Sequence, residues 1–123
     1  MKLTNAEIYT YAMRLAETFT DDSQRLPVKV NFYLQKNKSL LTSLAQDIET
    51  SRMEIVRNYG TPNEENEGQY IIPADKVTEA QKELSDLLAL EQEVNIYKIN
   101  IDSIPDDLAL TTGQMDAIMF MID

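Results

Sequence analysis

Between Pro27 and Gly60 the chain carries an apolar residue every seven positions: Leu34, Leu41, Ile48 and Ile55. Asn37, Leu44 and Ser51 interleave three residues after the first three of these. A repeat of 3.5 residues is the seam of an α-helix lying against another long helix. Run continuously to Tyr59, such a helix spans on the order of 45–50 Å at 1.5 Å per residue. Pro27 suits its first turn, where a missing N–H costs nothing. Gly60 suits its C-terminal cap. The stretch "VKVNFYL" also alternates Val28, Val30 and Phe32 as a strand would. Val30 and Leu34 already belong to the seven-residue pattern, which favours helix. The seam has small or polar interruptions, of which Asn37 is the most informative. A buried Asn can fix helix register or oligomeric state at a cost in stability. Asn37 is therefore the candidate register and oligomer residue.

The ends of the chain obey local rules. Thr4 precedes Glu7 by three residues, a capping box, with Leu3 and Ile8 placed as its hydrophobic staple. Ile8, Tyr11, Ala12, Leu15 and Phe19 follow at helical spacing, and Asp21, Asp22 and Pro27 close that segment. At the other end, Thr111 and Gln114 form a second capping box with Leu110 and Met115 as staple. Met115, Ile118, Met119 and Ile122 then make one apolar stripe, predicted to face the core. Phe120 and Met121 fall outside it and are candidates to meet a partner, a task to which methionine adapts well.

Between these parts lie a helical period at Val77, Ala80, Leu84, Leu87 and Leu88 and two strand-like stretches, "QYIIP" and Tyr97–Ile101. Two short strands in one small domain would most simply pair with each other. The expected fold is mainly α, of α+β type. It is a single domain over residues 1–123, with long antiparallel helices, shorter terminal helices and a minor two-stranded β-sheet. A heptad-like seam on so small a domain makes a homodimer plausible.

Composition then narrows function. Of 123 residues, 43% are hydrophobic, which is enough for a core, and mean hydropathy is -0.35. There is no Cys and no His, which removes thiol nucleophiles, disulfides, Cys/His zinc sites and imidazole acid–base chemistry. No apolar run has the length of a membrane span, and the N-terminus lacks the core of a signal peptide. The net charge is -10, and residues 61–123 hold fourteen acidic residues against three basic ones. Nucleic acid and anionic membranes require cationic patches, so neither is an expected partner. A protein with a basic surface is.

Candidate sites follow from that charge. Asn63, Glu65, Glu67 and Gly68 occupy the first, third, fifth and sixth places of a calcium-loop pattern, but its twelfth place, a bidentate Glu, is Ala74. The stretch reads as an acidic turn, and no metal or cofactor is expected. Asp102, Asp106 and Asp107 form a second acidic group without an accompanying nucleophile or phosphate loop, so no catalytic residue is assigned. Glu64, Glu65, Glu67, Asp102, Asp106 and Asp107 are the candidate contacts to a basic partner, with Phe120 and Met121. Lys29, Lys36 and Lys38 are the only grouped cations, and Lys29 and Lys36, seven apart, share a helix face near Tyr33. That face reads as a solvated one, with a phosphate-binding patch as the alternative that the net charge opposes. The six tyrosines show no spacing of a stacking platform.

The stretches "LTNAEIYTYAMRLAE", "LPVKVNFYLQKN", "EQEVNIYKINI" and "LTTGQMDAIMFMID" together resemble a family of small phage proteins of unknown function. That family occurs in tailed phages and prophages of low-GC Gram-positive bacteria. The resemblance extends over nearly the whole chain and implies phage origin and a host-cytoplasmic setting. It brings no catalytic or ligand residues. The expected function is a non-catalytic accessory protein, an acidic inhibitor of a host defence complex of the anti-CRISPR or other anti-defence type. The alternatives are a tail or morphogenesis accessory associated with the virion, and a sponge for a nucleotide signal.

Overall fold

The computed structural model describes residues 1–20 and 26–123. The expected closing residues Asp21 and Asp22 lie outside this range. A short strand β1 (Lys2–Thr4) leads into α1 (Asn5–Thr18), which precedes the long α2 (Val28–Tyr59). A small hairpin of β2 (Thr61–Pro62) and β3 (Tyr70–Ile71) follows, then α3 (Val77–Ala89) and β4 (Glu91–Glu93). An irregular segment with a 3-10 turn at Ile101–Ser103 leads to the last helix, α4 (Thr112–Ile118), and a closing 3-10 turn at Met119–Met121. The protein is mainly helical with a minor β component.

The starts of α1 and α4 are set by the residues expected to set them. The Thr4 hydroxyl accepts from the Glu7 amide at 3.1 Å, and the Glu7 carboxylate accepts from the Thr4 amide at 3.0 Å. Thr111 and Gln114 repeat the arrangement, both bonds at 3.1 Å. Each box satisfies two amides that the helix itself cannot. Pro27 is the N-cap of α2, and its carbonyl accepts from Asn31 at 2.9 Å. Gly60 ends α2, but in extended backbone and not in a left-handed cap. Its smallness serves a different end. A Cβ there would come within 2.7 Å of the Val56 carbonyl oxygen and 3.0 Å of Tyr70.

α2 is the spine, about 48 Å long at 1.5 Å per residue. Tyr9 of α1 meets Glu49, and the Phe19 carbonyl at the end of α1 meets Lys38, so α1 runs antiparallel to the first part of α2. Tyr59 meets Glu83, and Leu88 lies beside Glu49 and Arg52, so α3 runs antiparallel to the second part. The antiparallel partner predicted for the long helix is thus divided between two shorter helices laid end to end. Their junction is tied by β1 and β4, antiparallel with Lys2 opposite Glu93 and Thr4 opposite Glu91. The Asn5 amide extends this ladder to the Leu90 carbonyl at 2.8 Å.

The strand pairing differs from the expectation. β3 pairs with β2 within its own hairpin, Thr61 opposite Ile71 and Pro62 opposite Tyr70, and not with the Tyr97 segment. A partner ten residues away closes a much smaller loop than one nearly thirty away. The Tyr97–Ile101 stretch is extended only in part. Ile99 makes a single parallel bridge with Ile122, and Ile101 opens a 3-10 turn. The core lies along the spine from Val30 to Ile48: Leu3, Ile8, Leu15, Val30, Leu34, Leu41, Ile48, Val94, Ile99, Ile118 and Met121 belong to one buried cluster.

Candidate partner-binding surfaces

The two acidic groups stand at opposite ends of the molecule. Glu64, Glu65 and Glu67 occupy the tip of the β2–β3 hairpin, just beyond the C-terminal end of α2, and all are exposed. The turn is self-supporting. Asn63 Oδ1 accepts from the Glu65 amide at 3.0 Å, and Gly68 takes a left-handed φ of 84°. Asp102, Asp106 and Asp107 are exposed near the N-terminal end of α2, where Ile104 and Leu108 close over Leu26, Val30 and Leu34. The Asp102 amide is capped by Asn100 Oδ1 at 2.9 Å. Asp106 and Asp107 do not cap α4, because Thr111 holds that position. The structure therefore does not gather these six acids into one face. Among the described residues no group of three acidic side chains converges on a common point where a metal ion could sit.

The C-terminal stripe is corrected by one register change. The α-helix stops at Ile118, and the chain tightens into a 3-10 turn of three residues per turn. That change of period swings Met119 outward, 59% exposed, and Met121 inward, 0% exposed. Met121 is thus core and unavailable to a partner, whereas Met119, expected in the core, is on the surface. Phe120 is half-buried and stacks on Tyr11 with ring centroids 4.3 Å apart and planes 6° from parallel. Its carbonyl accepts from Lys98 at 3.0 Å.

Asn37 is fully buried, and its amide is used within the chain. Its Nδ2 donates to the Tyr97 carbonyl at 2.9 Å, and its Oδ1 accepts from the Tyr97 amide at 2.7 Å. The side chain acts as one rung of a β-ladder for a segment that has no strand partner there. The polar break in the seam therefore fixes an intrachain strap. The same Nδ2 also lies 3.4 Å from the Met121 sulfur, which places the strap and the closing turn around one buried amide.

Two further groupings join residues remote in sequence. Tyr9, Glu49 and Arg52 meet between α1 and α2 in an open depression of about 590 Å³, also lined by Ala6, Thr10 and Leu88. Arg52 Nε and Nη2 donate to the two Glu49 oxygens at 2.9 and 2.5 Å, and the Tyr9 hydroxyl donates to Glu49 Oε2. The bonds from Arg52, then Tyr9, hold the Glu49 carboxyl down at about 2. The same carboxylate pushes the Tyr9 phenol upward, because its hydrogen bond favours the protonated form. The Glu49–Arg52 spacing of three residues was a visible helix pair. Tyr9 offered no signal at all.

The second grouping brings together aromatic rings whose sequence spacing gave no platform. Phe32 and Tyr33 of α2 lie 6.1 Å apart, and Tyr97 from the strap lies 5.6 Å from Tyr33 with planes 30° apart. Lys29 sits 5.8 Å from the Tyr33 centroid and Lys36 sits 5.4 Å from that of Phe32.

No protein-family model, curated protein or solved structure matches this chain. No helix among the described residues is long and apolar enough to cross a membrane.

Proposed function

We propose that the protein is a non-catalytic binding module whose acidic ends dock onto a basic surface of a partner protein. In the phage setting implied by the resemblance, that partner is a host defence complex, which the module inhibits by occlusion. The observation that carries this reading is the state of the six candidate acids. Glu64, Glu65, Glu67, Asp102, Asp106 and Asp107 are all exposed, and none takes part in the three ion pairs among the described residues. Uncompensated carboxylates at both ends of a rigid spine supply long-range attraction and orientation toward a cationic surface.

The test uses charge reversal at each end separately: Glu64, Glu65 and Glu67 to Lys, and Asp102, Asp106 and Asp107 to Lys. The partner is taken from host lysate at low salt with the wild-type protein, and its association rate is then measured against ionic strength. Each triple variant is expected to slow association by about tenfold or more, with the salt dependence flattened. Association that neither triple variant alters would sink the proposal. Stoichiometric incorporation into purified phage particles, read by mass spectrometry, would instead favour the assembly role.

A further inference from the structure

We infer that the face formed by Lys29, Phe32, Tyr33, Lys36 and Tyr97, at the same end of α2 as Asp102, Asp106 and Asp107 but opposite to them in charge, is a docking surface for an acidic segment of a partner protein. The face is built from two parts of the chain. Lys29, Phe32, Tyr33 and Lys36 share one side of α2 by helical spacing. Tyr97 arrives from the strap, whose backbone is fixed by the two bonds from buried Asn37. The third ring is therefore held in place beside the other two before any partner arrives, which lowers the ordering cost of binding. Phe32 remains 52% exposed and Tyr97 44% exposed. Exposed aromatic side chains held in position are the usual anchors of protein interfaces.

Charge decides the kind of occupant. The chain has 21 acidic and 11 basic residues, so an unpaired cation is surrounded by potential partners. Yet Lys29 and Lys36 take part in none of the three ion pairs among the described residues, and both sit over rings. Two unneutralised ammonium groups flanking exposed rings are complementary to carboxylates interleaved with apolar or aromatic side chains. A helix exterior gives no walls to enclose a small ligand, but it gives a length along which a peptide segment can lie. A long polyanion would meet the repulsion of a protein of net charge -10. A short acidic segment feels mainly the local lysines, because screening confines charge effects to about 8 Å at physiological salt.

The probe is a short synthetic peptide alternating Glu and Phe, titrated into the isotope-labelled full chain and followed by amide chemical shifts. Shifts are expected at Lys29, Phe32, Lys36 and Tyr97, with affinity reduced by about tenfold in a Lys29→Glu, Lys36→Glu double variant. Phe32→Ala should weaken binding as well. All three positions are outside the core, and an unchanged thermal midpoint verifies that each variant is folded. Absence of shifts at these residues with peptide at about millimolar concentration overturns the inference. Equal binding of the matched Lys/Phe peptide overturns it too, since charge would then play no part. Stronger shifts at the same amides from an oligothymidylate would reassign the face to single-stranded nucleic acid.

Discussion

The two parts of the spine carry the same sequence pattern and meet different fates. From Val30 to Ile48, the residues Val30, Leu34, Asn37, Leu41 and Ile48 are all buried, because α1, the strap around Ile99 and the closing turn cover this part together. Beyond Ile48, Ile55 continues the seven-residue stripe but is only half-buried, and α3 contributes Ala80 as its single buried residue. Here one helix covers another, and Ile71, Leu88 and Leu90 stay exposed. The molecule is thus a packed head with a two-helix arm. A periodic stripe specifies that a helix has an apolar face, while burial depends on how many elements reach that face.

The largest expected effect separates head from arm directly. Leu41→Ala removes a fully buried side chain and should cost about 2–5 kcal/mol. Ile55→Ala, at the equivalent place in the arm, should cost less than about 1.5 kcal/mol. Denaturant unfolding of both variants checks this, and equal losses would mean that the arm is as well packed as the head.

The next effect loosens the head from within. Asn37→Leu leaves the Tyr97 amide and carbonyl without their bonds and should destabilise by about 2 kcal/mol, with faster amide exchange at Tyr97. Because the amide works inside one chain, the oligomeric state should not change. A change of oligomeric state in analytical ultracentrifugation would give Asn37 an intersubunit role as well.

The smallest effect lies at the junction, where Glu49 joins α1 to α2. Its carboxyl is held at about 2 against an ordinary 4.5. A folded-state value below the unfolded one adds stability above the ordinary value, and that stability is lost as pH falls from about 4.5 through about 2. The pair is partly exposed, so solvent screens it and the contribution is modest. Glu49→Gln should flatten the fall of the thermal midpoint over that window and leave its value near neutrality little changed. A wild-type acid profile reproduced by the variant would show that Glu49 does not contribute.

Some of this architecture was legible from residues alone. The capping boxes at Thr4 and Thr111 are rules acting within three residues, and they hold as read. The long helix from Pro27 to Gly60 follows from a period sustained over four turns of the pattern. Exposure of Glu64, Glu65, Glu67, Asp102, Asp106 and Asp107 follows from charge, since unpaired carboxylates stay in water. The aromatic face was not legible, because Tyr97 reaches Tyr33 across 64 positions of sequence.

Sequence by itself determined the long helix, the capped starts of α1 and α4 and the apolar stripes of α1 and α2, because propensity, capping and periodicity act over a few residues. Tertiary structure alone decided the pairings. Glu91–Glu93 has no strand propensity, yet it pairs with Lys2–Thr4 because α3 ends beside the start of α1. Met121 rather than Met119 entered the core because a 3-10 turn replaced the last α-helical turn. Asn37 became an intrachain clasp because the strap passing over it offered a donor and an acceptor at the right spacing. In each case the partner is remote in sequence, and only closure of the chain brings the two groups within hydrogen-bonding or packing distance.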